Sequence, residues 1–124
     1  MTKTKKIIIW LLAAFVALGF LFAGITKLSG TEMQLKNLES WGYPLWIRFP
    51  IGLLELVLAV TILIPKYQKL TIYAVFTWTV AAVITHLQAS QGAMIGAPIL
   101  FSIVAAAILL LQRPGMTYSK SLSA

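Results

Sequence analysis

Uncharged apolar runs alternate along this chain with short polar breaks, and the length of the runs sets the class of protein. Ile7 to Ile25 is such a run, preceded by Lys3, Lys5 and Lys6 and closed by Lys27. A bilayer span needs about 20 apolar residues, whereas the apolar core of a secretory signal has only about 7–15, so this run predicts a first membrane helix. Span two is placed at Pro44 to Ile64, because proline suits the first helical position. Pro50 then falls inside the span and predicts a kink, and Pro65 stops the helix before Lys66 and Lys69. Span three is Leu70 to Leu87, with His86 near its far end. After the uncharged turn Gln88 to Gly96, span four runs from about Ile95 to Gln112, where Arg113, Pro114 and Gly115 end it; the serine-containing tail after Met116 is expected to fray.

Between Thr26 and Tyr43 the chain turns polar. Thr31 and Gln34 have capping-box spacing, which predicts a short helix; Leu35, Leu38, Trp41, Tyr43 and Trp46 would let it lie at the headgroup level. An ordinary connecting loop is the alternative. Composition agrees with the run lengths: 60% of the 124 residues are hydrophobic and 10% charged, against about a quarter charged in soluble domains. The net charge of +7 does not point to nucleic acid, because most of the basic residues cluster at the ends of apolar runs. They set orientation instead. With the N-terminus inside, Lys3, Lys5, Lys6, Lys66, Lys69, Arg113 and Lys120 face the cytoplasm and Lys27, Lys36 and Arg48 face out. The expectation is an all-α integral membrane four-helix bundle, a single multi-pass domain with both termini inside and a short interfacial helix between spans one and two.

Ionisable groups within spans are costly, so each asks for a reason. Glu55 lies near the middle of span two, and Arg48 stands seven positions earlier on the same helix. Lys27 follows span one and His86 closes span three, which puts both at the outer membrane face. Antiparallel packing could bring Lys27, Arg48 and His86 around the mouth above Glu55, and Lys27 is the favoured partner of the carboxylate, with Arg48 the reserve. Glu55 is then either half of a structural ion pair or a group that handles protons or binds ligand. Lys27 and Arg48 have the simpler reading of snorkelling cations, and His86 that of an interfacial polar cap. One histidine without spaced partners gives no metal or haem signature, and without cysteine there is no thiolate redox chemistry. Gly19, Ala23, Gly52, Ala59, Ala81, Ala82 and Ala105 to Ala107 are the small residues that let helices approach in lipid. Phe20, Phe22, Tyr73, Phe76, Trp78 and Phe101 could line a pocket for a flat apolar ligand such as a quinone, although most are expected to face lipid.

Two strings, Gly19-Phe20-Leu21-Phe22-Ala23-Gly24-Ile25-Thr26-Lys27-Leu28 and Gly52-Leu53-Leu54-Glu55-Leu56, in this order and spacing, resemble the DoxX and DoxX-like family of bacterial four-helix membrane proteins. The resemblance covers roughly Phe15 to Gln112. Many relatives also have an arginine near the start of span one and a histidine shortly before the lysine; here Trp10 and Ile25 occupy that territory, so detailed redox chemistry is not carried over. The resemblance implies a bacterial inner-membrane protein serving quinone-linked redox metabolism as an accessory subunit or binding platform, with membrane redox proteins as partners. Lys27 and Glu55 would organise a pocket open to the outer face. Nothing in the chain supplies a redox centre of its own, which speaks against an autonomous enzyme. The competing classes are a proton-coupled carrier of a small solute and a structural subunit of a larger membrane complex.

Overall fold

The computed structural model describes residues 2–89, 91 and 95–112, and every regular element in them is helical. Helix α1 covers Lys3–Ser29, α2 Glu32–Ser40, a 3₁₀ turn Leu45–Ile47, α3 Arg48–Thr61, α4 Pro65–Gln88 and α5 Gly96–Leu111. The stop at Arg113, Pro114 and Gly115 and the tail after it lie outside the described residues, as do positions 90 and 92–94 of the turn before α5.

Caps, not the apolar run, set the ends of α1. Thr2 Oγ1 accepts from the Lys5 N–H at 3.2 Å, which starts the helix within the lysine cluster. At the other end Gly30 adopts φ 69°, in the left-handed region. The Gly30 and Thr31 N–H groups then turn back to the Lys27 and Thr26 carbonyls, both at 3.1 Å, a closure that suits glycine. Lys27 is therefore inside the last turn of α1, not beyond it.

The short helix after span one is present as α2. Thr31 Oγ1 accepts from the Gln34 N–H at 3.4 Å, but the reciprocal half of the capping box is not made. Gln34 Nε2 instead donates to Thr26 Oγ1 at 2.9 Å and ties α2 to the end of α1. Leu38 is fully buried and Gln34 nearly so, so one face of α2 packs onto the other helices.

Span two differs most from expectation. Pro44 is extended (ψ 144°) and precedes the 3₁₀ turn, and α3 begins only at Arg48. Pro50 thus occupies the third helical position, where no backbone N–H is needed for the ladder, and the predicted interior kink does not arise. The 14 residues of α3 rise about 21 Å. Ile64, restricted by the proline after it, is extended and marks the break; Pro65 is the first residue of α4, so Lys66 and Lys69 stand on that helix instead of between helices.

Side-chain contacts fix the packing sense. Gly24 approaches Leu56 and Gly52 approaches Leu28, so α3 descends as α1 rises. Thr71 bonds to Thr61 at 2.7 Å and Thr79 to the Pro98 carbonyl at 3.3 Å, which makes α4 antiparallel to both α3 and α5. The interior stripe of α1 is Ile9, Ala13, Val16, Phe20, Gly24 and Lys27, spaced by three or four residues as one helix face requires. Phe20, Ile62, Ile72, Val75, Ala105 and Ile108 fill the core. The outer faces are apolar as well: Leu11, Leu18 and Leu70 are 65%, 66% and 70% exposed. Helices α1 and α4 are long and apolar enough to cross a membrane, and such outward faces are compatible with lipid.

Candidate functional site

Where α1 and α3 cross, two glycines replace side chains with backbone. A Cβ on Gly24 would stand 2.8 Å from the Gly52 carbonyl oxygen; one on Gly52 would stand 3.1 Å from the Gly24 carbonyl oxygen and 3.2 Å from Lys27 Cβ. The bare face of Gly52 lets the stem of Lys27 lie against α3. One turn further along α3, on the interior face it shares with Gly52 and Ala59, is Glu55. Lys27 Nζ reaches Glu55 Oε1 at 2.9 Å.

This pair sits in the packed interior, with Glu55 0% and Lys27 8% exposed. The ammonium lies off the direction that a hydrogen bond to Oε1 prefers, and Oε2 has no donor among the described residues. The arrangement therefore holds a cationic donor with hydrogens to spare beside a carboxylate oxygen able to accept. Their mutual attraction and the close glycine contact hold α1 and α3 in register.

Arg48 and His86 are elsewhere and make no ion pair or hydrogen bond with Glu55. The Arg48 guanidinium lies against Gly30 and 4.5 Å from the Phe49 ring centroid, at the carbonyl end of α1, where a cation is favoured by the helix dipole. His86 belongs to a polar tether between the end of α2 and the end of α4. Trp41 Nε1 donates to Gln91 Oε1 at 2.6 Å, His86 Nδ1 lies 3.1 Å from the same oxygen, and Tyr43 Oη meets Thr85 Oγ1 at 2.9 Å. The Trp41 and His86 rings meet edge to face with centroids 5.4 Å apart. Of the three groups, Lys27 alone makes an ion pair with Glu55; Arg48 lies at the same end of α1, against Gly30, and His86 belongs to the α2–α4 tether.

Hydrogen-bond chemistry fixes the histidine tautomer. An indole N–H can only donate, so the Gln91 atom that it meets is the amide oxygen. The same oxygen then accepts from His86, and Nδ1 must carry a hydrogen. In the neutral ring Nε2 is the lone pair. We expect nitrogen-15 spectra at alkaline pH to show the Nδ1–H tautomer in the parent protein and a shift toward Nε2–H in Gln91→Leu; the reverse order would rule out this tether.

Several of the aromatic residues pack on one another. Phe20 packs against Trp78 and Phe101 with centroids 4.8 and 5.6 Å apart, and the Phe101 ring occupies the space that a side chain on Gly19 would need. Phe22 and Tyr73 face outward. Sequence reasoning gave Gly19 and Ala23 as the small contact residues of α1; Gly19 does meet Phe101 of α5, but at the crossing with α3 the contact is made by Gly24. It also missed Gln91, whose partner Trp41 is fifty positions away and leaves no periodic signal. Searches of curated proteins and of solved structures gave no match. The family model described as the DoxX-like family matches residues 11–108, a stretch that contains the glycine crossing, the Lys27–Glu55 pair and the tether. By that match the chain belongs to the DoxX-like family.

Proposed function

We propose that this protein is a four-span membrane component of quinone-linked redox metabolism, with both termini cytoplasmic, acting as an accessory subunit or binding platform. The observation that carries this reading is the fully buried Glu55 with an unshared Oε2 beside the Lys27 ammonium. Once the packing over the pair opens, Nζ would donate to a quinone carbonyl and Oε2 would accept from a quinol hydroxyl, so the pair's chemistry suits both redox forms of such a head group. A bound quinone would supply the electron-carrying chemistry; Lys27 and Glu55 would bind and orient it and hold the proton. Trp78 and Phe101 both pack on Phe20, so the ligand's ring would enter beside the α1–α3 crossing and not between those rings. The second reading, proton-coupled solute transport, rests on the same free carboxylate oxygen.

Native mass spectrometry from mild detergent tests the assignment. We expect a quinone mass on the parent protein that is lost in Lys27→Met. Proton-coupled uptake without bound quinone would replace this reading with transport, and a stoichiometric protein partner without either would replace it with a structural role. Reporter fusions after Ile64 and Gly115 should read cytoplasmic and one after Gln91 external; one contrary reporter would overturn the four-span topology.

A further inference from the structure

A second polar site lies at the opposite end of α1 from the Lys27–Glu55 pair. The start of α1, the start of α4 and the end of α5 border an open groove of about 290 Å³ lined by Lys6, Ile9, Trp10, Pro65, Gln68 and Gln112. That volume is near the lower end for small-ligand pockets, about 300 Å³, and suits a head group better than a whole lipid. Gln68 is only 4% exposed and is held in place on both sides. Its Nε2 donates to the Ile62 carbonyl at 2.9 Å, and its Oε1 accepts from Gln112 Nε2. Each amide nitrogen carries two hydrogens, and these bonds use one of each. The second N–H of Gln68, the second of Gln112, the Trp10 indole N–H and the Lys6 ammonium have no acceptor among the described residues. The lining residues therefore hold spare donors and one positive charge.

The surrounding charge selects the ligand. The chain has three acidic residues, Glu32, Glu39 and Glu55, and none is at this end, whereas Lys3, Lys5, Lys66 and Lys69 stand near it. An acceptor-rich anion matches such a wall. The flank is apolar: Ile7 is 51% and Leu11 65% exposed, and Trp10 itself is 45% exposed, a residue type favoured at the membrane interface. We infer that this open groove binds the phosphate of an anionic phospholipid, with the acyl chains lying along Ile7 and Leu11. In the orientation proposed above, the lipid belongs to the cytoplasmic leaflet, whose anionic surface attracts basic residues. The site is independent of the Lys27–Glu55 reading and stands if that reading fails.

Native mass spectrometry of the full chain with phosphatidylglycerol or phosphatidylcholine tests this. Phosphatidylglycerol should be retained preferentially, and Lys6→Gln should weaken that preference about fivefold, the effect of one basic residue at an anionic surface. Gln112→Leu, which removes a donor without changing charge, should weaken it as well. Lys69→Gln, at the same end but outside the lining, should change it less than about twofold, because an exposed charge that does not touch the phosphate is largely screened. Equal losses for Lys6→Gln and Lys69→Gln would show diffuse attraction and overturn the site. So would no preference between the lipids, an unaltered preference in Gln112→Leu, or displacement of the lipid by inorganic phosphate, which would mark a site for the free anion. Lys6 is exposed and Gln112 half-buried, so both variants should keep the fold, and circular dichroism checks that they do.

Discussion

Lys27→Met lowers the melting temperature in detergent further than Glu55→Gln does, and the double variant regains part of the loss. Removing one partner of a well-buried pair typically costs about 3–5 kcal/mol, because the survivor remains uncompensated. The two survivors here are not equivalent. Glu55 is fully enclosed, and among the described residues only Lys27 forms an ion pair with it; the Arg48 guanidinium lies against Gly30 at the end of α1. Lys27 stands in the last turn of α1 and can swing its long stem toward the interface, so Glu55→Gln should cost less than about 3 kcal/mol. The double variant leaves neither charge buried. Coupling of about 0.5–3 kcal/mol between the two substitutions is the expected signature of contact. Arg48→Met combined with Glu55→Gln should instead be additive within about 0.5 kcal/mol. If the Lys27 and Glu55 losses simply add, the pair does not hold the helices, and the coordination of quinone proposed above loses its anchor.

The parts of this structure that could be read from the sequence are those decided by solvent preference. The runs at 7–25, 70–87 and 95–112 each mark a helix, and Thr31 marks the start of α2. The choice of Lys27 over Arg48 as the partner of Glu55 followed from reach: a lysine on an adjacent antiparallel helix can extend inward, whereas an arginine seven positions away on the same helix must descend nearly two turns. Helix ends were less legible because hydropathy reports where hydrocarbon ends, while caps report where hydrogen bonding ends. Helix α1 consequently runs from Lys3 to Ser29, through charged residues at both ends. The prolines were misplaced for a related reason. Pro50 and Pro65 both sit in first turns, where the missing N–H is harmless, and only the backbone path around them distinguishes that from a kink or a stop. The Trp41–Gln91–His86 tether and the Gln68–Gln112 contact join residues 50 and 44 positions apart, and their pairing depends on how whole helices pack. At the crossing, Ala23 and Gly24 differ by one position, or about 100° around the helix, so composition alone could not choose the contacting residue.

That choice has a large mechanical consequence, and Gly24→Ala is expected to destabilise the protein by about 1–3 kcal/mol, the usual cost of forcing a methyl group into a packed site. The added Cβ would meet the Gly52 carbonyl oxygen at 2.8 Å and Leu56 at 2.8 Å. Leu56 can change rotamer, but the carbonyl is backbone and cannot yield without moving α3. In lipid or detergent no strong hydrophobic drive would restore the contact, because association of membrane helices depends on close van der Waals packing. Separation of α1 from α3 also lifts the Lys27 stem away from Gly52 and lengthens its approach to Glu55. The energetic coupling between Lys27→Met and Glu55→Gln should therefore shrink when measured in the Gly24→Ala background. Gly96→Ala is the matched control, since none of the described residues lies within 4 Å of a Cβ there, and Gly96 is the first residue of α5, where the interior preference of about 1 kcal/mol for alanine over glycine applies only in part. It should be neutral or slightly stabilising. Equal effects of the two substitutions would show that the crossing tolerates separation and that the ion pair, not the glycine contact, sets the distance between α1 and α3. Loss of stability in Gly24→Ala with unchanged Lys27–Glu55 coupling would instead show that the lysine stem follows the moving helix and keeps its carboxylate.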